Sequence, residues 1–146
     1  MLSRLTFAGL AVLVAGLFLY AGAAQAREKA AKVLAKGEFH NADKTGSGTA
    51  TIYQLADGKR VLRLTDFETS NGPAVRVYLI AAADAGDADI VKKSEPIDLG
   101  EMKGNKGDQN YDVPGGADLA KYGAVTIWCA RFDVNFATAP LTAPAS

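Results

Sequence analysis

From residue 37 onward, short runs of β-branched, aliphatic and aromatic residues alternate with clusters of Gly, Asn, Asp, Ser and Pro. This is the rhythm of strands separated by turns. The turn signals fall at Thr45-Gly46-Ser47-Gly48, Asp57-Gly58, Ser70-Asn71-Gly72-Pro73, residues 104–108 and Pro114-Gly115-Gly116. Between them, strands are predicted at 37–41, 49–55, 60–67, 74–81, 96–99, 110–113, 124–130 and 133–137. Alternation is clearest where Ile52 and Leu55 flank polar positions and where Arg63 separates Leu62 from Leu64. Only 118–122 reads as helical, with Asp118 as its N-cap. Evenly spaced strands with no long amphipathic helix predict an all-β fold, an antiparallel β-sandwich of jelly-roll-like or Greek-key type.

The N-terminus has a different pattern. One basic residue, Arg4, is followed by an uncharged stretch from Leu5 to Ala26 that ends in Ala24-Gln25-Ala26. Small residues flanking Gln25 fit a secretory cleavage site, so 1–26 is expected to be a signal peptide and the mature chain to begin at Arg27 in a periplasmic or secreted protein. A stretch of about 20 uncharged residues can also span a bilayer, which gives the alternative of a membrane anchor with the domain outside the cytoplasm. Arg27, Lys29, Lys32 and Lys36 place more positive charge after the segment than before it, which works against export. Residues 27–36 are rich in helix formers and read as a linker or one exposed helix. The division is then 1–26 targeting segment, 27–36 linker, 37–141 domain and 142–146 tail.

Composition narrows the chemistry. Formal net charge is zero over 146 residues, and no basic cluster alternates with aromatics, so no nucleic-acid partner is expected. The single histidine, His40, leaves a zinc site of the usual His and Cys composition short of ligands. There is no CxxC, no GxSxG and no phosphate-cradling loop. Gly104-Asn105-Lys106-Gly107 reads as a turn, and Asp84, Asp87 and Asp89 as a solvated loop without calcium-loop spacing. No constellation of an enzyme stands out.

One segment does stand out, Val125-Thr126-Ile127-Trp128-Cys129-Ala130-Arg131-Phe132. Cys129 is the only cysteine, so within one chain it forms no disulfide. An unpaired thiol is unusual in an oxidising compartment. Two readings stand side by side. Cys129 is a small apolar residue packed beside Val125 and Ile127, or it is a reactive thiol. Trp128 projects to the opposite strand face and is expected in a core with Phe132 or Phe136. Arg131 lies on the Cys129 side if the strand continues, where a guanidinium favours the thiolate.

The chain from Gly37 to Leu141 resembles the DM13 family. The resemblance is carried by Gly37-Glu38-Phe39, Gly46-Ser47-Gly48-Thr49-Ala50, Val61-Leu62-Arg63-Leu64-Thr65-Asp66-Phe67, Asn71-Gly72-Pro73, Val77-Tyr78-Leu79 and Asp98-Leu99-Gly100, together with Leu119 and Tyr122. Its most distinctive blocks are the run from Lys103 to Pro114 and the run from Ile127 to Phe132, continuing through Phe136 to Leu141. It implies an exported or membrane-anchored β-sandwich with a nearly invariant cysteine at the position of Cys129. It also implies an electron-transfer role, with that cysteine as a bare thiol or as ligand to a prosthetic group such as haem. Relatives carry a histidine where this chain has Lys44, so only Cys129 carries over cleanly, and His40 stands in for that histidine only as a candidate. The expected partner is a redox or cell-envelope protein. Two other readings remain: a non-catalytic envelope binding module with a structural cysteine, and a metal site built on Cys129, His40 and nearby carboxylates.

Overall fold

The computed structural model describes residues 31–145, so the targeting segment expected over 1–26 lies outside the described residues. The described chain is all-β. Its strands are β1 Lys32–Glu38, β2 His40–Asn41, β3 Gly46–Gln54, β4 Arg60–Thr69, β5 Val75–Ile80, β6 Ile97–Glu101, β7 Gln109–Val113, β8 Ala124–Cys129 and β9 Val134–Pro140, with one short helix, α1 Ala88–Lys93. They form two antiparallel sheets, one in the order β1-β3-β4-β7 and the other in the order β2-β9-β8-β5-β6.

The two sheets share one apolar core. The first contributes Ala50, Ile52, Leu62, Leu64 and Tyr111, and the second contributes Val75, Val77, Leu79, Val125, Ile127, Cys129 and Phe136. Phe39, at the crossing from β1 to β2, tilts against Phe67 with ring centroids 5.2 Å apart. Each buried Val, Leu, Ile or Phe among them contributes about 1.5 to 3 kcal/mol through removal of apolar surface from water. The alternation read in β4 holds, with Leu62 and Leu64 inward and Arg63 outward. It slips where Asp66 takes a left-handed φ of 51° opposite Gly48, whose own φ is 102°. A Cβ on Gly48 would stand 2.7 Å from the Asp66 and Thr65 carbonyl oxygens, so only glycine fits this bulge.

β8 is the central strand of its sheet, and all six of its residues are buried. Val125, Ile127 and Cys129 face the shared core. Ala124 and Trp128 face outward into a second cluster with Ile80, Ala85 and Val91, formed by α1 and the loop before it. Covering the outer face explains why β8 is buried on both sides, its one polar residue, Thr126, meeting Thr138 Oγ1 at 3.1 Å.

Three local expectations are corrected. Of the stretch 27–36 expected as a linker or helix, residues 32–36 belong to strand β1, which runs on through Glu38 and is registered against β3, because edge pairing outweighs the helix propensity of Ala, Leu and Lys. The helix expected at 118–122 is a single turn: Asp118 accepts from Ala120 N through Oδ1 at 2.9 Å, and its carbonyl accepts from Tyr122 N at 2.8 Å. The helix forms instead at Ala88–Lys93, beginning within the Asp84-to-Asp89 stretch expected as a solvated loop and running past it. Asp87 caps it by accepting from Ile90 N at 3.0 Å.

Candidate functional site

Cys129 ends β8, paired with Val75 of β5 and Val134 of β9. It is 1% exposed. Its thiol donates to the carbonyl oxygen of Pro73 at 3.2 Å. Pro73 belongs to residues 70–74, the crossing from β4 in one sheet to β5 in the other. Gly72, Pro73 and Ala74 are themselves exposed, so a single layer of backbone separates the sulfur from water. Ala74 holds a left-handed φ of 53°, unfavourable for a residue with a Cβ, and its carbonyl accepts from Ala130 N at 3.0 Å. The cover is thus fastened on both sides of the thiol.

A second crossing, residues 102–108 between β6 and β7, packs beside the first. Met102 N donates to Val75 O at 2.9 Å, Thr69 N to Asn105 O at 2.8 Å, and Gly107 N to Phe67 O at 2.8 Å. Tyr111 braces this loop from below, its hydroxyl accepting from Lys103 N at 2.8 Å and donating to Gln109 Oε1 at 2.5 Å. Burial raises the Tyr111 pKa, and the Lys103 N–H opposes the shift. Between the crossings lies a cleft of about 360 Å³ rimmed by Asn71, Gly72, Glu101, Lys103 and Asn105. Asn71-Gly72-Pro73, the run from Lys103 and the run from Ile127 are far apart in sequence and meet at this end of the domain.

Arg131 does not stand beside the thiol. β8 stops at Cys129, residues 130–133 turn back into β9, and Arg131 lies over the Phe132 ring at 5.6 Å. Phe132 is not core either, being 64% exposed. Trp128 is buried as expected, but its aromatic neighbour is Tyr78, stacked at 6.2 Å, while Phe136 packs in the core on the other side of the sheet. A bulge at Ile127/Trp128 turns both Phe136 and Ala137 inward, a shift that period-two counting cannot see.

His40 is separated from Cys129 by the second sheet itself. It pairs with Thr138 of β9, and its Nε2 meets Asp84 Oδ1 at 2.6 Å in the loop over the outer face, whereas Cys129 faces the inner core. Its Nδ1 lies 2.8 Å from Asn41 O. Both ring nitrogens therefore face acceptors, an arrangement satisfied fully only by the imidazolium. The backbone bond to Asn41 and then Asp84 raise its pKa above the ordinary value. Among the described residues no group of three His, Cys, Asp or Glu side chains is arranged to hold a metal ion. A haem on Cys129 needs an open approach to Sγ and an apolar cavity against it. Here Sγ meets Pro73, and Cys129 does not line the neighbouring cleft, whose rim is largely polar. The residues of this arrangement do not fit a haem.

An all-β domain of two antiparallel sheets, holding one thiol beneath a crossing loop, is the class that fold and site define. The family model described as electron transfer DM13 matches residues 38–141, well over half of the chain, and the protein belongs to that family. No curated protein and no solved structure gives a match.

Proposed function

We propose that this domain works outside the cytoplasm as a thiol-based electron carrier in which Cys129 is the redox-active side chain. Membership of a family described by electron transfer supports the general role. The observation that carries the assignment to Cys129 is its position: a lone thiol held by one hydrogen bond beneath exposed residues 72–74 and fastened by a left-handed Ala74. A residue selected for packing alone needs no such thin and strained cover. Opening of residues 70–74 admits a partner disulfide. The Cys129 thiolate attacks one partner sulfur, the partner S–S bond breaks as the Cys129–partner bond forms, and the released thiolate takes up a proton. A second thiol from a partner then attacks the mixed disulfide, returning Cys129 to the thiol and carrying away the new disulfide. The domain has no resolving cysteine of its own.

Glutathione buffers of rising disulfide fraction test this. The folded protein should gain one glutathione on Cys129, reversibly, and Cys129→Ser should gain none. A native fold that stays unmodified at every poise contradicts the proposal, and a Soret band in freshly purified protein overturns its bare-thiol form. The second reading, a structural cysteine in an envelope binding module, is favoured by the 1% exposure of Cys129 and its place in the core.

A further inference from the structure

We propose that the surface over Cys129 is a docking patch for a partner protein segment that carries its cysteine between an apolar and an acidic side chain, with Phe132 and Arg131 as the recognition residues; this rests on the thiol-redox reading above. Gly72, Pro73, Ala74, Ala130, Arg131 and Phe132 are all exposed, and the Ala130 N to Ala74 O bond joins the two loops into one surface. Pro73 within it touches the sulfur. A partner seated there meets exposed Pro73, whose carbonyl accepts from the thiol.

Phe132 is the most exposed large apolar side chain of the described residues. It stands at the tip of a hairpin where nothing in the fold calls for an aromatic ring. Aromatic and arginine side chains dominate the energetics of protein recognition, and a ring already exposed needs an apolar recess to bury it. Arg131 supplies the only charge of the patch. It forms no ion pair among the described residues, whereas the neighbouring Asp133 is neutralised by Lys92 at 3.1 Å. The patch therefore presents one uncompensated cation beside one ring, complementary to a carboxylate beside an apolar group. On the adjoining cleft rim, Glu101 lies 3.9 Å from Arg76 Nη1, and Lys103 Nζ donates to Asn110 O and lies over the Tyr111 ring.

Two activated peptide disulfides test this. One is a tripeptide amide of leucine, cysteine and glutamate whose cysteine bears a 2-pyridylthio group, and its twin has lysine for glutamate. Attack by Cys129 on the peptide sulfur forms the mixed disulfide and breaks the bond to the pyridylthio sulfur. The leaving group carries off the thiol proton as 2-thiopyridone, whose absorbance gives the rate. In the folded full chain at low salt the glutamate probe should react faster than the lysine probe by roughly three- to tenfold, the size of effect one surface charge gives. Arg131→Gln should bring the ratio near one. Phe132→Ser should slow both probes severalfold while leaving the rate with neutral methyl methanethiosulfonate unchanged. Equal peptide rates in the wild-type chain, or a Phe132→Ser variant that reacts like wild type, overturn the docking patch alone. If the folded chain reacts with none of the three reagents, the thiol-redox reading fails and the docking patch falls with it.

Discussion

The thiol of Cys129 and the carbonyl of Pro73, 3.2 Å apart, join the end of a central strand to the loop that crosses between the sheets. On the outer side of that contact, Gly72, Pro73 and Ala74 are exposed. Stability and reactivity at this end of the domain are therefore coupled, and substitutions can separate them.

Gly72 lies in the cover, and its requirement is space rather than a left-handed angle. A Cβ there would stand 2.8 Å from the Phe136 ring. Gly72→Val should lower stability by about 1 to 3 kcal/mol, the usual cost of overpacking. Urea unfolding measures this, and an unchanged midpoint would show that the ring gives way freely.

Trp128, at 4% exposure, fills the outer cluster against Ile80, Ala85 and Val91. Trp128→Ala should cost about 3 to 5 kcal/mol, as truncation of a buried aromatic leaves a cavity. For a domain of this size that is a large part of the total. A thermal melt indistinguishable from wild type would refute the packing role.

How much of this was legible from residues alone depended on the range of the contacts involved. β8 could be read because a strand buried on both faces leaves a hydrophobic run broken only by Thr126. The core side of Cys129 followed from alternation with Val125 and Ile127. Arg131 was misplaced because Ala130-Arg131-Phe132-Asp133 contains no Gly or Pro to announce its turn. The left-handed angle there is taken by Asp133, at a φ of 52°. β1 was hidden by local helix propensity, and α1 by being too short to show a helical period. The cover over the thiol joins residues 56 apart, which no local pattern encodes.

His40 links β2 to the 81–87 loop through Asp84. Since its pKa is raised on folding, the stabilisation is complete below the unfolded value of about 6.5 and is lost as pH rises through the folded value. Both side chains are more than a third exposed, so solvent screening holds the effect below about 1 kcal/mol. Melting temperature should fall slightly between the two pKa values in wild type, and the fall attributable to this pair should vanish in His40→Gln. A wild-type profile matched by the variant over that range would contradict it.

The proposal that the protein is exported rests on Ala24-Gln25-Ala26. Intact mass of the protein recovered outside the cytoplasm should correspond to a chain beginning at Arg27. A full-length mass confined to membranes would instead support the anchor.

The most direct measurement is the rate at which native Cys129 reacts with a neutral thiol reagent across urea concentrations, set beside global unfolding of the same sample. If residues 70–74 open on their own, the free energy of exposing the thiol lies well below the global value and changes little at low urea. Ala74→Gly should then quicken labelling while stability stays within about 1 kcal/mol of wild type, since relief of the left-handed strain is offset by glycine's extra chain entropy. A thiol exposed only at the global free energy and with the global urea dependence, in both proteins, would show Cys129 to be core and leave the carrier without its redox residue.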